Sequence, residues 1–149
     1  MKYTINQISN GEDEVIVNYR TMNPEVERIV HFIKREQLRL VGWKEKEQKV
    51  IDTKNILYIE TVDGKTFAYT KDNVLKLEYT LTQVEQLLND INFFRCSKSM
   101  IINIDKVDSL KSLPSNRIDA KMVNGEHIII SRTYASEFRR ILRKGAQHG

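Results

Sequence analysis

A β-rich α+β fold is predicted by three features of this 149-residue chain. From about residue 38 onward, apolar residues recur with a period of two, the pattern of half-buried strands. Asp63-Gly64 and Asn124-Gly125 each lie between β-rich runs, where a tight hairpin needs residues that tolerate positive φ. Other stretches place apolar residues at helical spacing behind capping residues instead.

Taken in order, the run "EVIVNY" (14–19) predicts a short strand. Asn23-Pro24 then predicts a helix start, with Asn as N-cap and Pro at the first helical position. Val26, Ile29, Val30 and Ile33 follow as one apolar stripe. Its opposite side is polar, with Glu25, Arg28 and Arg35, so the helix should bury one face only. "LRLVGW" and "QKVID" read as strands, and "NILYIETV" and "KTFAYT" form the arms of the Asp63-Gly64 hairpin. Thr82-Gln83-Val84-Glu85 fits a capping box for a helix whose face is Leu81, Val84, Leu87, Leu88 and Ile91.

"FFRCSKSMIIN" (93–103) then reads as strand interrupted by a polar, cationic step. In "RIDAKMV", Ile118, Ala120 and Met122 alternate with Arg117, Asp119 and Lys121, and the second hairpin closes with "EHIIIS". Thr133 can cap a last helix with Tyr134, Phe138, Ile141 and Leu142 on one side. Arg139, Arg140, Arg143 and Lys144 suit the negative end of its dipole.

Composition narrows the function. No apolar run approaches the roughly 18 residues of a membrane span, and "MKYTINQISN" lacks the apolar core of a signal peptide. A single cysteine excludes an internal disulfide. These features predict a cytoplasmic protein. Charge is uneven: residues 91–149 carry eleven Lys/Arg against five Asp/Glu, while residues 50–90 carry four against seven. A basic C-terminal part suits a nucleic-acid-facing surface, although a solvated surface with a chance excess looks the same.

Enzyme chemistry finds little support. His31, His127 and His148 are scattered, and no HxH, HExxH or CxxC pattern offers metal-ligand spacing. Cys96 as a nucleophile would need a base, for which His127 is the candidate, but a lone cysteine between Phe94 and Met100 is more commonly a small buried hydrophobe. No catalytic residue, cofactor, metal site or small-molecule substrate is expected. DNA contacts, by contrast, call for Arg, Lys, Asn, Ser or Thr at strand ends and hairpin tips. Three clusters offer them: Asp63-Gly64-Lys65-Thr66, Arg95-Cys96-Ser97-Lys98-Ser99, and Ser131-Arg132-Thr133-Tyr134, where helix N–H groups can also receive a phosphate. Each taken singly is also what an ordinary solvated turn or cap looks like.

Together the clusters are more specific. "NILYIETVDGKTFAY", "LTQVEQLL", "FFRCSKSMIINIDKVDSL" and "NGEHIIISRTYASEFRRIL" occur in an order and spacing that resembles the LytTR family of bacterial DNA-binding domains, over roughly residues 39–144. Phe94, Arg95, Ser99 and Asn103, with Asn124, Gly125, Ser131 and Arg132, carry the most specific part. The resemblance implies small antiparallel sheets in succession with short helices, and a transcription regulator that inserts loops into major grooves of paired half-sites. It implies DNA contacts from Lys65 and Thr66, from Lys98, and from Arg132. Ser97, Ser99 and Tyr134 complete the candidate set. Family members usually carry histidine where this chain has Ser97. Asn103 is expected to satisfy backbone at a strand end.

The expected division is a strand-helix accessory segment, 1–38, and a DNA-binding domain, 39–146. The expected partners are double-stranded DNA, a second copy on paired sites, and a small membrane protein that restrains the regulator, as in short, stand-alone members of the family. The alternative is a protein-interaction module that docks a membrane partner through residues 1–38 and binds DNA weakly. RNA binding is less attractive, because no strand pairs exposed aromatics with the Gly/Lys pattern of an RRM.

Overall fold

The computed structural model describes residues 1–89 and 92–148. Its elements are α1 (Pro24–Gln37), β1 (Arg39–Lys44), β2 (Glu47–Asp52), β3 (Ile56–Val62), β4 (Lys65–Thr70), β5 (Val74–Leu77), α2 (Leu81–Leu87), β6 (Phe93–Arg95), β7 (Met100–Asn103), β8 (Val107–Leu113), β9 (Arg117–Met122), β10 (His127–Ile130) and α3 (Arg132–His148). All strand pairs are antiparallel, as expected. Seven strands share one sheet in the order β2-β1-β5-β4-β3-β7-β6, and the other three form a second sheet, β10-β9-β8.

The large sheet is covered on both faces. One face, with Ile56, Ile59 and Ile101, packs under Leu81, Val84 and Leu88 from α2 and the residue after it. The other, with Leu57, Tyr58 and Ile102, packs against Ile118, Met122 and Ile130 of the small sheet and Phe138 of α3. Neighbours in sequence alternate between these layers, Phe93 to the first and Phe94 to the second, Ile101 and Ile102 likewise. This explains why β6 and β7 read as continuous apolar runs. A register shift between Ile56 and Tyr58 breaks the alternation in β3, so Leu57 and Tyr58 both face the second layer.

Both hairpins form as read. Asp63 (φ 51°) and Gly64 (φ 75°) make the first turn, and a Cβ on Gly64 would meet nothing, so backbone conformation alone favours glycine there. In β9, Ile118, Ala120 and Met122 are the buried set. Asn103 holds the junction of β3 and β7: its side chain donates to the Ile56 carbonyl at 2.7 Å and accepts from the Asp105 N–H at 3.0 Å.

Two helix starts differ from expectation. The capping box of α2 is Thr80 with Gln83, each side chain closing on the other's backbone N–H at 3.1 and 2.9 Å. Thr80-x-x-Gln83 and Thr82-x-x-Glu85 fit the same pattern, and the earlier start carries Leu81 into the core as well as Val84. Ile91, expected on the same face, lies outside the described residues. α3 begins at Arg132, so Thr133 lies within the helix, and its length to His148 leaves Arg139 and Arg140 short of the last turn.

The N-terminal segment departs further. Asn23 caps α1 as expected, accepting from the Val26 N–H at 3.0 Å, with Pro24 at its first position. Residues 14–19 form no strand and join neither sheet, so their β-rich composition is left without the ladder that would satisfy a strand's backbone. Of the α1 stripe only Val26 is fully buried. The C-terminal end of α1 is tied down by ion pairs Arg35–Asp105 and Glu36–Lys54.

Candidate nucleic-acid interface

The three clusters read from the sequence come from distant parts of the chain and lie at one end of the molecule. Antiparallel pairing requires it: β3 ends and β4 begins at the Asp63-Gly64 tip, and β7, paired to β3 through Glu60 and Met100, begins at that same end. The Thr61 N–H donates to the Ser99 carbonyl at 2.8 Å, so the β6–β7 turn continues the ladder toward the hairpin tip. The Ser131 N–H donates to the Cys96 carbonyl at 3.0 Å, which ties the start of α3 to the same turn.

Lys65, Lys98, Ser99 and Arg132 are exposed at this end. Thr66 is different. It is 3% exposed, with its hydroxyl 3.5 Å from that of Thr61, because side chains alternate along β4 and Lys65 takes the outward position. Expected among the contacts, Thr66 instead belongs to the interior. Ser97 is half-buried, and its hydroxyl oxygen accepts from the Ser99 N–H at 3.3 Å within the turn. Tyr134 is half-buried too, its ring edge-on to Phe94 with centroids 6.3 Å apart. That contact commits its ring to the second core layer.

Arg95, counted among the polar donors of its cluster, turns inward. Its Nε donates to the Ser97 carbonyl at 2.9 Å, its Nη2 to the Lys98 carbonyl, and its Nη1 pairs with Glu85 at 3.4 Å. Sequence spacing gave no sign of this, since the carbonyls involved become partners only once the turn closes.

Cys96 is fully buried, and its thiol donates to the Met100 carbonyl at 3.6 Å. Burial pushes the thiol up to about 12, against smaller opposing effects of its backbone hydrogen bond and the Arg95 charge. Such a thiol is a packing group and a poor nucleophile. His127 does not reach it: the ring sits 2.9 Å from Asp119 on the outer face of the small sheet. Among the described residues no group of three or more His, Cys, Asp or Glu is arranged to hold a metal ion. No helix among them is long and apolar enough to cross a membrane.

Comparison with known proteins bears on the fold and the family. The family model described as LytTr DNA-binding domain matches residues 46–143. A solved LytTr DNA-binding domain from Bacillus cereus superposes with a TM-score of 0.66 at 27% identity, covering 70% of this chain and 95% of that one. The sensory transduction protein LytT of Bacillus subtilis is 31% identical over 93 residues, which are 62% of this chain and 39% of LytT. An uncharacterized HTH-type transcriptional regulator of Staphylococcus aureus is 25% identical over 125 residues, 83% of this chain and 84% of that protein. The chain thus matches well under half the length of the LytT relatives and most of the staphylococcal one.

Proposed function

This chain belongs to the LytTr DNA-binding domain family, and from that premise we propose that it is a sequence-specific transcription regulator that reads double-stranded DNA through loops entering the major groove. The observation that carries the proposal is the convergence of Lys65, Lys98 and Arg132, three exposed cations from separate segments, at one end of a rigid two-layer core. Neighbouring strands lie about 4.8 Å apart, so β4 and β7, flanking β3, are about 10 Å apart, comparable with a major groove about 12 Å wide. Arg132 follows Ser131, whose N–H is bonded to the Cys96 carbonyl, and Lys98 sits in a turn whose two ends are held by backbone bonds, which suits base edges. Lys65 stands beside a free hairpin tip, which suits phosphate. The first N–H groups of α3 add a favourable site for a second phosphate.

Residues 39–146 are the DNA-binding part in this reading, and residues 1–38 an accessory that joins two copies on paired half-sites in the cytoplasm. The exposed apolar side chains Tyr3, Ile5, Val15, Ile16 and Phe32 support a docking role for the accessory. They equally suit docking to a small membrane protein, the alternative in which DNA affinity is weak.

Selection of duplexes from a random pool, followed by titration against salt, tests the reading. A selected duplex should bind at least about 1,000-fold more tightly than random DNA. On that duplex Arg132→Ala should lose about 1–3 kcal/mol and relax specificity, while Lys65→Ala should weaken all duplexes alike and flatten the salt slope by about one. Failure to enrich any duplex would favour the interaction module.

A further inference from the structure

The Ser97–Ser99 turn has no apolar side chain to anchor it. Backbone bonds hold only its ends: Cys96 N–H and Ser97 N–H to the Met100 carbonyl at 3.0 and 3.4 Å, Ser131 N–H to the Cys96 carbonyl, and Thr61 N–H to the Ser99 carbonyl. The carbonyls in the middle, of Ser97 and Lys98, are taken by one group, the Arg95 guanidinium, whose third nitrogen is paired with Glu85 of α2. The Arg95 side chain is only 18% exposed, so its charge lies beneath the turn while Lys98 stands above it.

We propose that Arg95, steadied by Glu85, is a positioning residue for DNA reading: it sets the turn that aims Lys98 and holds that turn in register with Arg132. This rests on the DNA-binding function proposed above. A planar guanidinium presents several N–H donors in a fixed fork and can hold two neighbouring carbonyls together, whereas the ammonium of lysine is a single point on a flexible stem. Base-edge contacts tolerate little displacement of the side chain that makes them, so a turn fixed only at its ends would aim Lys98 poorly. The guanidinium also offsets two carbonyl dipoles whose negative ends would otherwise lie close to where an anionic backbone approaches. Glu85 restrains the guanidinium from the helix side, through an ion pair that spans ten residues of sequence.

The test is a double-mutant cycle of Arg95→Lys and Lys98→Ala, measured on a selected duplex and on a scrambled one. Arg95→Lys keeps the charge and should lose about ten-fold on the selected duplex but less than about two-fold on the scrambled one. In the Lys98→Ala background the same change should cost almost nothing further, because the residue it positions is gone. A purely structural role would lower the melting temperature and weaken both duplexes together. Should Arg95→Lys fail to fold, Glu85→Gln keeps both carbonyl bonds and removes only the ion pair; it should show a smaller loss of the same kind, again absent without Lys98. Losses that multiply in either cycle, or that fall equally on both duplexes, overturn the role of Arg95 while leaving DNA binding intact. A wild type that prefers no duplex overturns the function itself and this role with it.

Discussion

The first 38 residues and the rest of the chain use apolar residues in opposite ways. In the body, Ile56, Ile59 and Phe138 are fully enclosed between layers. In the N-terminal segment Ile5 is 98% exposed, Val15 74% and Tyr3 73%. Nine of the seventeen strongly exposed large apolar side chains among the described residues lie within residues 1–32, about a fifth of the chain. Single exposed apolar residues need no explanation, but such a concentration is what the docking role proposed for the segment calls for. The body encloses its apolar side chains between layers, whereas most of those before residue 24 lie in the open and α1 touches the body mainly through Val26, Leu38 and its ion pairs.

The largest effect that can break this comparison is a pair of core and segment truncations. Phe138→Ala should cost about 3–5 kcal/mol, because it removes a fully buried ring from the junction of both sheets and α3. Val15→Ala in the dilute protein should change stability by less than about 0.5 kcal/mol. Chemical denaturation measures both. A comparable loss at Val15 would mean that the segment belongs to the folding unit.

Removing the segment sharpens the contrast. A protein of residues 39–149 should unfold cooperatively and bind an isolated half-site as the full chain does. On paired half-sites it should lose about 100-fold, the advantage gained when one binding event links to the next. Leu38, which packs on the first core layer, and the Arg35–Asp105 pair are the contacts most at risk in this cut. Aggregation of the shortened protein would show that α1 covers core surface.

The smallest effect concerns pH. Burial pushes the Cys96 thiol up to about 12, from 9.0 for an unperturbed thiol. A raised folded value means that stability from the protonated thiol is complete below pH 9 and falls as pH rises toward 12. Cys96→Ala should cost roughly 1 kcal/mol at neutral pH by deleting one buried atom. Above pH 9 its stability should fall less steeply than that of the wild type. Parallel slopes would show that the thiol is not the titrating group. Tyr58, raised by burial and by donating to Glu126 at 2.6 Å, is common to both proteins and cancels in the difference.

Features governed by neighbours in sequence were legible in it. The Asp63-Gly64 and Asn124-Gly125 turns, the Asn23-Pro24 start of α1 and the alternation of β9 depend on φ preference, capping and side-chain period, each acting within a few residues. The LytTr pattern was legible for the same reason, since its residues lie in short runs with fixed spacing. Which threonine caps α2 was not, because two equivalent local boxes compete and burial of Leu81 decides between them. Nor was the inward turn of Thr66, since alternation along β4 does not say which of its two faces is covered, or the absence of a strand at residues 14–19, which join neither sheet. The sequence alone determined a β-rich domain with three cationic turns. Only the tertiary structure brought those turns to one end and drew Arg95 beneath them, because sheet pairing and the closing of a turn join groups far apart in the chain.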